Sequence, residues 1–271
     1  MNEGWEMKHS KIWRLTNELR RITTKFKLKP PYKEEQTPLN LEAIFTAKIP
    51  KERIIEVADE VNLAYMELTR DVVFHKIPKE QYFHLINSAL NIGREMANRI
   101  AEEFCSRNPV SIAQKMMVKI EYVPRIELIG SKIVYSEYVP KPPTIILYKG
   151  SISLKNKFIE VNELRQMFPQ KDIILSHIAH ELFHHIEETR IGRISEKFTI
   201  TTLNMGFIKV KSGINALREI SAHAFANSLL NIKGPPPRIL DFFICSNWID
   251  NYRKMQEFKK MLESKRITVS G

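Results

Sequence analysis

One segment near the middle of the chain predicts a helix that is buried on nearly every side. Residues 173–188 read IILSHIAHELFHHIEE, and apolar side chains recur all around the wheel at about 100° per residue. Most of the ionisable side chains fall instead on one narrow stripe, which consists of His177, His180, Glu181, His184 and Glu188. The rest of the fold must therefore surround this helix and supply partners for a line of buried polar groups.

The stripe contains the spacing H-E-x-x-H, formed by His180, Glu181 and His184. Two histidines four residues apart share one helix face and reach a single metal ion, and this spacing is typical of zinc-dependent peptide hydrolysis. Glu181 then lies where its carboxylate takes a proton from a metal-activated water and returns it to the leaving amine. The alternative is a core helix whose histidines are satisfied by hydrogen bonds alone, but the crowding of the stripe favours a metal.

A catalytic zinc ion with two histidine ligands needs a third protein ligand and one open position. The metzincin pattern is excluded, because Glu187 and Arg190 stand where it requires glycine and histidine. Glu188 lies on the stripe but a full turn beyond His184, so it is better placed to orient another group than to bind the metal.

The better candidate for the third ligand is Glu219, which lies at the start of a second helix-patterned segment at residues 217–230. Ala222 and Ala226 fall on the same helix face as Glu219. Small side chains at these positions allow two helices to approach closely. A short carboxylate arm needs that approach in order to reach a metal held by the neighbouring helix.

The motifs HELFH at 180–184 and EISAHAFANSLL at 219–230 together resemble the ImmA/IrrE-type metallopeptidases, whose third ligand lies in a Glu-x-x-Ala-x-x-Phe-Ala helix. Segment 108–122 is similar to the helix-then-strand opening of that family, and segment 143–148 to the strand before its active helix. The resemblance covers roughly residues 80–235.

This resemblance implies a small cytoplasmic zinc peptidase of the gluzincin class, which in several members acts on a transcriptional repressor. The chain departs from the family in two places. Phe183 stands where glycine is common, and the segment at 187–214 is longer than we expect for the family.

A peptidase also needs a donor for the oxyanion and a surface that holds the substrate. His223, one turn after Glu219, is a candidate for that donor or for a hydrogen-bond partner of a metal ligand. Tyr148 and His177 are further candidates, and each of the three has the alternative of being a hydrogen-bonded core group. We expect the strand at 144–148 to be a free sheet edge to which an extended peptide adds.

The whole pattern predicts an α+β fold with a zincin-like core, in which a small sheet packs against the helices that carry His180 and Glu219. This core occupies residues 78–235, after a helical, basic extension at 1–77 and before a C-terminal helical segment at 236–271. The expected elements are helices at 8–29, 51–75, 79–104 and 239–262 and strands at 118–123, 132–138 and 144–148.

The 271 residues carry a formal net charge of +11, with basic clusters at 8–33 and 253–266. Such a balance attracts nucleic acid or acidic protein surfaces, but neither helix-turn-helix spacing nor an aromatic stacking motif accompanies it. Cys105 and Cys245 are too few and too far apart for a disulfide framework or a cysteine-type zinc site. The sequence shows neither a membrane span nor a signal-peptide core, so we expect a cytoplasmic location.

Two functions are compatible with these features. The first is a zinc metallopeptidase that hydrolyses a specific intracellular protein, with a transcriptional regulator as one expected class of substrate. The second is a non-hydrolytic zincin-fold module that binds DNA or a partner protein through its basic termini. The presence of Glu181 favours the first, because a merely structural zinc ion has no use for a proton shuttle.

Overall fold

The computed structural model describes residues 47–130, 132–204 and 209–269. These residues belong to one compact unit that spans Pro38–Gly271. They form a mixed α/β fold in which helices predominate over three small sheets. The predicted helix at 8–29 and most of the basic extension lie outside the described residues.

Two of the described helices begin after residues whose side chains accept hydrogen bonds from free backbone N–H groups. Asp59 accepts a hydrogen bond from the backbone N–H of Asn62, and Asn108 accepts one from Val110 in the same way. The helices of the described chain are α1 (Lys51–Val57), α2 (Glu60–Thr69), α3 (Tyr82–Glu103), α4 (Pro109–Lys115), α5 (Lys149–Val161), α6 (Gln170–Ile186), α7 (Ile194–Lys197), α8 (Ala216–Leu229) and α9 (Trp248–Val269).

Two predicted helices are each divided in the structure. The helix expected at 51–75 ends at Val57 and begins again at Glu60, because Asp59 caps the second part rather than continuing the first. The helix expected at 239–262 is replaced at its start by a 3₁₀ turn at Pro237–Phe242, and α9 follows only from Trp248.

The centre of the fold is α8, which packs against α3, α6 and α2. Gly93 on α3 permits the closest of these approaches, since a Cβ atom at this position would lie 2.2 Å from the backbone oxygen of Ser221. On its other side α6 contacts the sheet and α4. The helix with the H-E-x-x-H spacing therefore lies between α8 and the sheet, as its apolar wheel predicts.

The main sheet contains β1 (Lys119–Val123), β5 (Pro143–Tyr148) and β4 (Ser136–Pro140), in that spatial order. β5 pairs in parallel with β1 and antiparallel with β4. The expectation that residues 144–148 form a free edge is therefore wrong. The chain reverses so tightly after β4 that Pro140 pairs with Pro143, and this places β4 along the side of β5 that β1 does not occupy.

The other two sheets of the described residues each consist of two antiparallel strands. β2 (Glu127–Ile129) pairs with β3 (Lys132–Val134), so the single strand expected at 132–138 is shared between this hairpin and β4. β6 (Thr199–Asn204) pairs with β7 (Lys209–Gly213) and accounts for much of the long segment at 187–214. None of the helices in the described part of the chain is long and apolar enough to cross a membrane.

Candidate metal centre

The three residues predicted as metal ligands meet between α6 and α8. His180 Nε2 lies 3.2 Å from a carboxylate oxygen of Glu219, and His184 Nε2 lies 3.5 Å from the other. The two Nε2 atoms are 3.1 Å apart. Ligands held about 2.0–2.1 Å from one tetrahedral ion are separated by about 3.3 Å, so the two Nε2 atoms and the Glu219 oxygen nearest to each are spaced about as widely as the ligands of one such ion.

Two overlapping sets of side chains are close enough to hold a metal ion. His180 groups with Glu181 and His184, and it also groups with Glu219 and His223, in each case with ligand atoms within 4.8 Å of one another. His180 is common to both sets and is almost fully buried. Nitrogen and carboxylate donors of this kind fit a borderline-soft divalent ion.

Glu219 and the two histidines beside it influence one another's ionisation. Burial disfavours the charged form of Glu219, but hydrogen bonds from His180 and His184 outweigh burial and hold the pKa of Glu219 well below its ordinary value. Burial also disfavours the charged form of His184, but the carboxylates of Glu187 and Glu219 outweigh burial and raise the pKa of His184 to about 10. The same carboxylates that favour a proton on His184 would favour a metal ion there, and binding of the ion would displace that proton.

Glu181 lies beside the ligands with its carboxylate held in place. The hydroxyl of Ser136, the first residue of β4, donates a hydrogen bond of 2.7 Å to Glu181 Oε1. Burial raises the pKa of Glu181 above its ordinary value, and the interactions with His184 and Ser136 oppose that rise. A carboxylate with a raised pKa is better suited to accept and return a proton near neutral pH.

Behind His180 a chain of buried polar groups leads away from the site. His180 Nδ1 lies 3.1 Å from His223 Nδ1, and His223 Nε2 lies 3.3 Å from Glu67 Oε1 on α2. Arg70 pairs with the same Glu67 carboxylate at 3.3 Å. Of the two roles considered for His223, that of a hydrogen-bond partner of His180 fits these contacts, and His223 is not among the residues that line the cavity.

Behind His184 the corresponding group is Glu187, at the start of a π-helical turn formed by Glu187–Ile191. Its side chain is fully buried, and its Oε2 atom lies 3.6 Å from His184 Nδ1. The backbone N–H of Ile194 and Nε of Arg218 both donate to this carboxylate, at 2.9 and 2.7 Å. Glu187 therefore has the orienting position that the sequence suggested for Glu188.

The ligands open onto a cavity of about 360 Å³ between β4, α6 and α8. Glu188 lies on its wall rather than behind a ligand. The lining residues are Ser136, Glu137, Tyr138, Pro140, His180, Glu181, His184, Glu188, Arg218, Glu219 and Arg238.

The two weaker candidates for an oxyanion donor are engaged elsewhere. The Tyr148 hydroxyl donates to the carboxylate of Glu137. His177 is buried, with Nδ1 3.2 Å from the Ser136 hydroxyl and Nε2 3.2 Å from the amino group of Lys155.

Sequence reasoning missed several residues around the site, among them Glu67, Ser136, Glu187 and Arg238. Glu67 does carry a signal, because it is an acidic residue at a position where the helical pattern is otherwise apolar, whereas Glu187 has ionisable neighbours at His184 and Arg190 and does not differ from them by spacing. Arg238 follows three prolines and has no periodic pattern around it, so only the fold brings it to the cavity.

Comparison of the chain with protein-family models, with curated proteins and with solved structures gave no match.

Proposed function

We propose that the chain is a zinc-dependent peptidase of the ImmA/IrrE type, with a zincin-like core formed by the sheet, α6 and α8. One observation carries the proposal. The Nε2 atoms of His180 and His184 lie 3.1 Å apart and 3.2 and 3.5 Å from different oxygens of Glu219, and Glu181 lines the same cavity.

Each residue has a distinct task in this reaction. His180, His184 and Glu219 hold the zinc ion, which when bound lowers the pKa of a coordinated water and polarises the substrate carbonyl. Glu181 accepts a proton from the attacking water and returns it to the leaving amine. Ser136 keeps the Glu181 carboxylate oriented towards the cavity through its hydrogen bond.

The substrate edge is assigned to β4 in place of β5. Ser136, Glu137, Tyr138 and Pro140 of β4 line the cavity, and this strand pairs with β5 on one side only within the described sheet. An extended peptide adds to such an edge through main-chain hydrogen bonds, which favours a flexible segment of a protein as substrate. In keeping with the resemblance, we propose a cytoplasmic protein substrate, with transcriptional regulators as the first class to test.

The alternative is a non-hydrolytic module that keeps the metal and binds DNA or a protein through basic termini. The buried and hydrogen-bonded position of Glu181 beside the ligands favours hydrolysis, because a metal with a structural role needs no base at that position.

The substitution Glu181→Gln separates the two functions. Residue 181 is not assigned as a ligand, so the variant should retain zinc in elemental analysis, yet an amide cannot accept the proton of the attacking water. We expect the wild type to cleave a pool of fluorescence-quenched, unstructured decapeptides and the variant to cleave it at least ~100-fold more slowly. Equal cleavage by both proteins would refute the assigned chemistry, and zinc binding without cleavage by the wild type would favour the regulatory module.

A further inference from the structure

Arg238 is a cation on the cavity wall that the mechanism above does not use. It lies in the 3₁₀ turn Pro237–Phe242, and its side chain is one-fifth exposed. One terminal nitrogen, Nη1, lies 3.1 Å from His177 Nδ1, and Nε lies 3.4 Å from Asp241 Oδ2. These contacts fix the guanidinium group while one side of the residue lines the cavity.

A second cation shares the carboxylate that holds Arg238. The amino group of Lys155 is fully buried and lies 2.6 Å from Asp241 Oδ1. His177 adds no negative charge, and it is neutral because burial and the neighbouring Lys155 lower its pKa well below the ordinary value. Two positive charges therefore face one carboxylate in a largely buried cluster.

The balancing negative charge comes from the metal centre. The carboxylates of Glu67, Glu181 and Glu219 all act on Arg238, together with its direct partner Asp241. Arg218, the other arginine on the cavity wall, binds the buried carboxylate of Glu187 at 2.7 Å through Nε, whereas the contact of Arg238 with Asp241 is longer, at 3.4 Å, and Asp241 is shared with Lys155. Arg238 is therefore the wall arginine with the weaker direct carboxylate partner, and it lines the same cavity as Glu181 and Glu219.

Peptide hydrolysis moves negative charge within reach of this cation. As a water oxygen bonds to the carbonyl carbon, its proton passes to Glu181 and the carbonyl π electrons move to the carbonyl oxygen. The C–N bond then breaks, and Glu181 returns the proton to the departing amine. During the first step Glu181 loses its negative charge and the substrate oxygen gains one, so a fixed cation facing both groups stabilises the transition state.

We propose that Arg238, held by Asp241, is the catalytic residue that stabilises the oxyanion of the substrate. The inference rests on the proposed peptidase function. It assigns the oxyanion role to a residue on the cavity wall, because neither His223 nor Tyr148 lines the cavity, and the Tyr148 hydroxyl is bound to Glu137.

The test compares two probes on the zinc-loaded protein by titration calorimetry. An N-phosphoryl dipeptide carries a tetrahedral anionic group that mimics the oxyanion, whereas acetohydroxamate needs only the metal. Arg238→Gln should weaken binding of the phosphoryl dipeptide by about 100-fold, the usual effect of losing one oxyanion donor, and leave acetohydroxamate binding and zinc content unchanged. Arg238→Lys should recover part of the loss, and Arg99→Gln, at an exposed arginine on α3, is the matched control.

Wild-type affinity of Arg238→Gln for the phosphoryl dipeptide would overturn the inference and leave the proposed function intact. Equal weakening of both probes with zinc retained would also overturn it, because the effect would then be general to the site. A wild-type protein that binds no zinc would overturn the proposed function, and the inference with it. Arg238→Met, which keeps an apolar stem of similar length, replaces the glutamine variant if circular dichroism shows that the latter is unfolded.

Discussion

Glu67 links the metal centre to the stability of the whole fold, and Glu67→Gln tests this link. Its carboxylate lies 3.3 Å from both His223 Nε2 and an Nη1 atom of Arg70. Burial opposes ionisation, but these two partners lower the pKa of Glu67 from 4.5 to about 2. Each pKa unit corresponds to about 1.4 kcal/mol, so the ionised carboxylate contributes about 3 kcal/mol to the free energy of unfolding at neutral pH.

The sign of the pH dependence follows from the lowered pKa. The pKa of Glu67 is lower in the folded chain than in the unfolded chain, so its carboxylate stabilises the folded chain fully at pH values above 4.5. This contribution is lost as the pH falls towards 2. The difference between wild type and Glu67→Gln should therefore be about 3 kcal/mol at pH 7 and about 2 kcal/mol at pH 3.5.

Urea unfolding of the metal-free proteins, followed by circular dichroism at the two pH values, measures this difference. Glu95→Gln, at an exposed glutamate on α3, is the matched control and should change stability by less than ~0.5 kcal/mol. The zinc affinity of Glu67→Gln should also fall about 10–100-fold, because His223 loses the group that orients it towards His180. A variant as stable as wild type at pH 7, or a difference that does not shrink at pH 3.5, would refute this account of Glu67.

Two further substitutions test the hydrogen bond to Glu181 and the close contact between α3 and α8. Ser136→Ala removes the hydrogen bond that stabilises the charged form of Glu181, so the acidic limb of the cleavage rate against pH should move to higher pH; an unmoved limb would contradict the role of Ser136. Gly93→Ala places a methyl group 2.2 Å from the Ser221 backbone oxygen and should cost at least ~1–3 kcal/mol in urea unfolding. Gly234→Ala, whose nearest contact would be 3.7 Å, is its control, and equal stability of the two variants would show that α3 and α8 are not tightly packed.

The parts of the site that lie on one periodic element could be predicted from the sequence. His180, Glu181 and His184 share a helix face by spacing alone, and the apolar wheel around them predicts the burial that the structure shows. The position of Glu219 on a second helix could be inferred from Ala222 and Ala226, because small residues mark a close helix contact.

Features that depend on pairing between distant segments could not be predicted in the same way. The apolar run at 144–148 is compatible with an edge or a central strand, and only the return of β4 through the turn at Pro140–Pro143 decides between them. Glu67, on α2, reaches His223 only because α2 packs against α8. Neither contact has a signal in local spacing.

The residue behind His184 shows a further limit of prediction from a helical wheel. The helical wheel places Glu188 on the stripe of ionisable groups and Glu187 off it. The wheel shows the face of each residue but not what packs against that face. Arg218 and the backbone of Ile194 orient Glu187. Both lie outside α6, so the helical pattern of α6 alone does not predict these contacts.

The central claim is that His180, His184 and Glu219 hold one zinc ion, and the zinc content of purified variants tests it most directly. Elemental analysis after dialysis should find about one zinc per chain in the wild type and in Glu188→Ala, which alters a wall residue of the cavity. His184→Ala and Glu219→Ala should each retain almost none, because two protein ligands leave the coordination shell incomplete. Full zinc in Glu219→Ala together with loss of zinc in Glu188→Ala would contradict the assignment.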